Sequence, residues 1–375
     1  MQSILTEISK LRKSPIIIDY HNSNRYRLVV QENDGTKTAY YFSTPIYNRT
    51  TRKLVDLRFY MDNNAICTIG SNAHITLSNG VLMRNTDGTC MIEMQHSPTF
   101  ISSQSVRSGN CLISPTFNGV AISCDVKGND KISFMVDVEL PFLNVRANDR
   151  SFALMKEKFT PLVVFSCIGS LDTAGNVIAP AKMEYQKITD KKYCIVLSST
   201  SSFAQQILFE ANLYENKLFQ DTTVESMNPL LNNAFGSMAF IGNTALYNEQ
   251  WLYSRLDYSK FPEIIDRQIY KVVLHMPKFN TSNVEICAFG LSARFCSFGS
   301  NWDNKAPVGA PVAVSLTENG YQSLDITSLL IDPLVRTITM SEGLILKSKI
   351  KGNGFSAVST GDSYYAPQIM EVNFR

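Results

Sequence analysis

Apolar and polar residues alternate in short runs along nearly the whole chain, and the period is two. RYRLVVQE (25–32), TAYYFST (38–44) and KISFMVDVEL (131–140) carry this pattern, which predicts half-buried β-strands. PIIIDY (15–20) reads as a further strand. HITLSNGVLMRNTDGTCMIEM (74–94) gives three strands, and Asp34-Gly35, Asn79-Gly80 and Asp87-Gly88 are hairpin turns. LVVFSCIGSLDTAGNVIAP (162–180), AKMEYQKI (181–188) and KKYCIVLSS (191–199) read as one meander, which QILFEANLYENKLFQ (206–220) extends. Strands of this length with turns every 8–12 residues predict sandwiches or barrels.

Helical periodicity is confined to a few places. Ile4, Leu5, Ile8 and Leu11 share one face of a short amphipathic helix that ends before Pro15. A helix this short is marginal alone in water, so its stripe is expected to pack on a partner subunit in preference to the chain's own strands. A single turn is expected in SMNPLLNNAFGSM (226–238), and a short helix from Thr327 in LDITSLLIDPLV (324–335).

The fold class that follows is all-β: tandem antiparallel β-sandwich domains, jelly-roll-like, behind a short N-terminal helix. Residues 1–14 are the helix and docking segment, 15–225 a β-rich region and 226–375 a sandwich. The polar stretch QDTTVESMNP marks the main break, and VKGND (126–130) marks a weaker one near 128 that would divide 15–225 in two. Leu252, Leu256, Val273, Ile326, Leu344, Leu346 and Val372 are the candidate core of the last domain.

Composition narrows the function classes. Hydrophobic residues make up 44% and charged residues 18% of the 375, which is a globular balance. The 35 basic and 33 acidic residues are interspersed, without the basic clustering of a nucleic-acid groove. No apolar run approaches the ~18 residues of a membrane span. Glu7 and Lys10 interrupt any secretory apolar region, so no signal peptide is expected. The eight cysteines (67, 90, 111, 124, 167, 194, 287, 296) lack CxxC spacing. Most lie in apolar strands and read as free thiols of a reducing cytoplasm, although their even number leaves disulfides open.

Catalytic and metal patterns are missing. The four histidines (21, 74, 96, 275) form no HxH or HExxH spacing. GLSAR (290–294) lacks the second glycine of a nucleophile elbow. Asp34, Asp87 and Asp172 lie in turns that do not continue as calcium loops. The expectation is a non-enzyme that needs no metal or cofactor. Aromatic residues are the remaining chemical theme: Trp302 in GSNWDNKAPVG and Tyr364-Tyr365 in TGDSYYAP lie in loop-like stretches, where binding residues concentrate. These three are the candidate ligand-binding residues, suited to stacking on sugar faces, with a cap on the end of the core as the alternative for Trp302; one member of the tyrosine pair must face outward.

One ordered set of motifs covers the C-terminal part. Leu252, Arg255, Asp257, Phe261 and Pro262 in LYSRLDYSKFP are followed by IYKVVLHMP and Trp302. Then come Leu324-Asp325-Ile326-Thr327, Gly343-Leu344 with Leu346-Lys347, and finally Phe355, Ser359, Pro367, Ile369 and Val372. In this order, residues 226–375 resemble the DNRLRE family of β-sandwich modules, found in bacterial surface proteins and in phage or phage-like particle proteins of clostridial type. The resemblance implies a carbohydrate-binding-like sandwich and carries over no catalytic residue.

The function expected is therefore a non-enzymatic virion structural protein of a phage or phage-like particle, on the head surface, tail fibre or baseplate. It would be made in the host cytoplasm and released by lysis. Its expected partners are other virion proteins through the N-terminal region, further copies of itself in the particle, and a host cell-surface glycan. The alternative is a bacterial carbohydrate-binding or adhesion protein exported without a signal peptide.

Overall fold

The computed structural model of the protein describes residues 4–12, 14–256, 267–282, 284–293, 295–306, 308–331, 342–352 and 354–375. Among them every strand ladder is antiparallel. The all-β expectation, with antiparallel sandwiches and one short N-terminal helix, Ile4–Leu11, holds.

The chain divides into two compact units. The first comprises Tyr47–Asn216 with Phe235–Ser237; the second comprises Ile4–Ile46, Lys217–Ala234 and Met238–Arg375. In chain order the first unit is therefore inserted into the second. The expected boundaries differ in several places. Residues 4–46 and 217–225 belong with the C-terminal part, 235–237 belong with the first unit, and 126–130 form a link inside the first unit. The cause is non-local pairing: Lys37–Phe42 lies between Arg27–Gln31 and the C-terminal strand Ile369–Phe374, in register from Lys37 opposite Phe374 to Phe42 opposite Ile369. Period-two alternation marks a strand without naming its neighbour.

The first unit packs a sheet of eight strands against one of nine among the described residues. The alternation is direct where one face is wet: in Lys192–Ser199 each second residue from Tyr193 onward is buried. Ile75, Met83, Ile92, Val136 and Ile195 of one sheet meet Ile113, Ile122, Phe165 and Phe209 of the other in a common core. Gly88 ends one hairpin at φ +146°, and a Cβ there would stand 2.1 Å from the Glu139 carbonyl oxygen. The expected meander is split between sheets. Thr160–Leu171 and Gln206–Leu213 lie in the nine-stranded sheet, and Ala181–Lys187 and Lys192–Ser199 in the facing one.

Cys111 and Cys124 stand opposite each other on neighbouring strands and form a disulfide. For this pair the free-thiol expectation is corrected, because cross-strand register, not sequence spacing, brings the sulfurs together. Cys67, Cys90, Cys167, Cys194, Cys287 and Cys296 are free thiols.

The second unit is also a sandwich. Its six-stranded sheet runs Arg27–Gln31, Lys37–Phe42, Ile369–Phe374, Ile269–Pro277, Tyr321–Asp325, Leu316–Glu318 among the described residues. Among the described residues the facing sheet has seven strands, with Asn248–Leu256 between Leu344–Ser348 and Met238–Thr244, and Phe219–Glu225 also beside it. Leu252, Ile326, Leu344, Leu346 and Val372 are buried in the core between them, as expected. Val273 is buried too, but its core-facing neighbours Val272 and Leu274 place it on the opposite face of its strand. The side chain of Leu256 lies outside the described residues, as do Asp257, Phe261 and Pro262.

PIIIDY forms no named strand; only Ile18 makes an isolated bridge, to Val30. The short helix expected from Thr327 is Thr327–Leu330, whereas 226–238 holds turns and bends before its last residue.

The N-terminal helix lies on the outward face of the six-stranded sheet. The Tyr321 hydroxyl donates to the Glu7 carboxylate, Asn319 Nδ2 donates to the Lys10 carbonyl at 2.9 Å, and Arg12 pairs with Glu32 at 2.8 Å. Ile4 and Ile8 are buried. Ile4 and Ile8 are thus covered by the chain's own strands, whereas Leu5, 37% exposed, and the half-buried Leu11 leave part of the stripe uncovered. Residues far apart in sequence supply that cover.

Candidate functional site

On the seven-stranded sheet of the second unit, strand alternation sends Leu252 into the core and Trp251 and Tyr253 to the outward face. The segment after Leu291 folds back over that face, where Phe295 stands 5.5 Å from the Tyr253 ring. Burial pushes the Tyr253 hydroxyl up to about 12. Trp302 arrives on the same segment, its ring 4.9 Å from that of Trp251 and tilted by 53°. The turn carrying it is held by Asn301, whose side-chain oxygen accepts from the N–H groups of Asp303 and Asn304.

Two lysines complete the cluster. Lys305 Nζ lies 4.6 Å from the centroid of the Trp302 ring and donates to the Trp302 carbonyl at 3.0 Å. Lys347 Nζ lies 4.8 Å from the Trp251 ring and 4.7 Å from that of Phe289. Trp251 Nε1 donates to Glu249 at 2.8 Å, which fixes the edge of that indole. Trp251 is 8% exposed, whereas Trp302, Phe289, Lys305 and Lys347 are half-buried. The result is an aromatic platform with its accessible part at Trp302 and Phe289 and two ammonium groups over the rings.

The tyrosines belong to a different cluster. Tyr364 is 2% exposed, and the buried Lys217 ammonium sits 3.1 Å from its ring centroid. A surface role for Tyr364 is therefore corrected: this member of the pair turns inward onto a buried cation. Tyr365 is half-buried, with its ring 6.2 Å from Phe279. Beside Tyr364, the buried Asp221 accepts from the Gly361 N–H. Burial lifts its carboxyl to about 6, against the pull of hydrogen bonds from Ser254 and Gly361 and of the Lys217 charge.

The folded chain thus holds the Asp221 proton more tightly than the unfolded chain. The stability this contributes is complete below about pH 4 and is lost as pH rises through about 6. Near pH 7 the loss is about 3 kcal/mol. In denaturant titrations from pH 4 to 7, Asp221→Asn is expected to remove this part of the slope. A difference between wild type and variant that stays constant with pH would contradict it.

One polar array escaped sequence reasoning. Ser323 Oγ lies 2.8 Å from His275 Nδ1, and His275 Nε2 lies 3.4 Å from Glu371, on adjacent strands. These residues are 48 and 96 positions apart, so no local pattern could pair them. The array resembles a hydrolytic triad in composition only. Its serine meets Nδ1 and its carboxylate Nε2, the reverse of the serine hydrolase order. The strands' backbone N–H groups are also engaged in ladders instead of forming an oxyanion hole.

The first unit has a polar cleft of about 270 Å³ beside His96, Asn110 and Asp125. Its acids are occupied locally: Asp125 accepts from Gln206 at 3.0 Å and Glu93 from Lys192 at 2.7 Å. Among the described residues no group of three or more His, Cys, Asp or Glu could hold a metal ion. No helix among them is long and apolar enough to cross a membrane.

Compared with known proteins, the chain matches no family model and no curated protein. The reading of function therefore rests on the residues themselves. Of the three expected ligand-binding residues, Trp302 joins an outward cluster, together with Trp251, Phe289, Lys305 and Lys347, which the sequence reading missed. The signal was present in QWLYS, where Trp251 and Tyr253 alternate with the core residue Leu252.

Proposed function

We propose that this protein is a non-enzymatic structural and host-recognition component of a phage or phage-like particle, and that its second unit displays a DNRLRE-type sandwich toward a host-surface glycan. The observation that carries the reading is the Trp251–Trp302 platform, which lies outside the core on a rigid sheet. Loops and outward faces held by a sandwich are where such modules bind, and aromatic rings with nearby polar groups suit sugar faces and hydroxyls. In this reading the partners are other virion proteins, further copies of the chain and the host glycan.

Trp302→Ala tests it. The ring is half-buried against Trp251, so the expected cost is about 1–2 kcal/mol, below the ~3–5 of a fully buried tryptophan. Adsorption of particles to host cells is expected to drop at least about tenfold, the loss expected from removing a hot-spot aromatic worth more than ~1.4 kcal/mol. Unchanged adsorption alongside a large melting shift would make Trp302 a core residue and remove the support for recognition.

A second reading is a bacterial carbohydrate-binding or adhesion protein exported from the cell. The Cys111–Cys124 disulfide favours it, since such bonds persist in oxidising surroundings. Immunogold electron microscopy separates the two, with label on purified particles for the first and on the cell envelope for the second.

A further inference from the structure

We propose that the Trp251–Trp302 platform takes an anionic saccharide, a sugar bearing carboxylate or phosphate, in preference to a neutral one; this rests on the glycan-binding reading above. Lys305 and Lys347 carry the inference. Among the described residues many lysines are matched to carboxylates: Lys37 to Asp19, Lys191 to Glu139, Lys192 to Glu93, Lys349 to Glu285. The platform lysines have no such match among the described residues. Lys305 contacts the two indoles and the Trp302 carbonyl, and Lys347 contacts Trp251 and Phe289.

Among the described residues neither lysine stands within ion-pair distance of a carboxylate. Glu249 accepts from Trp251 Nε1 at 2.8 Å and stands 3.8 Å from Lys351, while Asp303 is exposed in the turn.

This arrangement discriminates between ligands by charge. A neutral sugar that stacks on the accessible Trp302 ring competes with the Lys305 ammonium for that ring and offers it no opposite charge in return. An acidic sugar can lay its C–H face on the accessible ring and keep the ammonium as counter-ion, gaining a charge-assisted hydrogen bond. Non-specific attraction is a weak competitor, because the whole chain has a formal net charge of only +2.

The test uses the full chain on immobilised polymers: polygalacturonate against its fully methyl-esterified form, and glycerol-phosphate teichoic acid against dextran. At low salt, binding is expected to be about tenfold or more tighter to the acidic member of at least one pair, with the preference shrinking as salt rises. The two pairs distinguish a carboxylate ligand from a phosphate ligand.

Lys305→Gln with Lys347→Gln is expected to abolish the preference while leaving the melting temperature within a few degrees of wild type. Lys187→Gln, on a lysine already paired with Asp190, controls for bulk charge and is expected to change nothing. Equal binding to charged and neutral members overturns the inference and leaves the glycan reading standing. Acidic preference that survives in the double variant also overturns it. Failure to bind any of the four polymers overturns both together.

Discussion

A chain in which residues 47–216 are replaced by a short Gly-Ser linker is expected to fold, whereas residues 226–375 alone are not. The second unit closes its six-stranded sheet with Arg27–Gln31 and Lys37–Phe42, and the latter pairs along the whole of Ile369–Phe374. Val29, Ala39 and Tyr41 sit in the same core as Leu274, Leu324 and Val372. Removing them strips a flank from the C-terminal strand and opens the core. Each large core side chain lost costs roughly 2–5 kcal/mol, against about 5–15 for a whole domain.

The linker is feasible because the two crossings lie together. Leu218 N–H donates to the Ser43 carbonyl at 3.0 Å, so the chain leaves and re-enters this unit at one place. Circular dichroism and cooperative thermal melting of both chains decide the matter. A cooperative β-sheet melt from residues 226–375 alone would mean that the N-terminal strands are dispensable.

Glu225→Ala is expected to destabilise the second unit by about 2–3 kcal/mol, chiefly through the buried Gln250 amide donor it leaves unsatisfied. Glu225 is fully buried and accepts from Asn228 Nδ2 at 2.9 Å, and from Asn233 Nδ2 and Gln250 Nε2 at 3.3 Å each. Gln250 in turn accepts from the Phe240 N–H at 2.7 Å, so the carboxylate ties the 226–234 segment to two strands. Donors buried without partners cost more than the net worth of the bonds themselves. Glu225→Gln keeps one acceptor oxygen and is expected to recover part of the loss. Urea denaturation of both variants measures it, and an alanine variant within about 1 kcal/mol of wild type would show the network to be dispensable.

Much of the local structure was legible in the residues. LSNGVLM and RNTDGTC became hairpins where Asn79-Gly80 and Asp87-Gly88 stand between strand-forming runs; Gly88 takes a positive φ, and at Gly80 a Cβ would stand 2.3 Å from the Ile92 carbonyl oxygen. Lys131–Glu139 and Lys192–Ser199 alternate in burial as they alternate in hydrophobicity, since a pleated strand has only two faces. Ile4, Leu5, Ile8 and Leu11 were equally readable as a helix, because its 3.6-residue period is local.

What covers that helix was not readable, nor was the partner of any strand beyond its hairpin neighbour. Lys37–Phe42 finds Ile369–Phe374 across nearly the entire chain, and Cys111 finds Cys124 only through strand register. The candidate site divides along the same line. Trp302 stood out by its loop-like surroundings, but Trp251, Lys305 and Lys347 joined it through a sheet face and a returning segment. Tyr364 carried the same loop signal and turned inward, because Lys217 supplies a buried cation that nothing near TGDSYYAP announces. Sequence by itself determined the elements, whose periods and turns are properties of neighbouring residues. Only the tertiary structure decided which elements share a sheet and which side chains share a site, because those contacts are chosen by the packing of surfaces that the chain brings together from a distance.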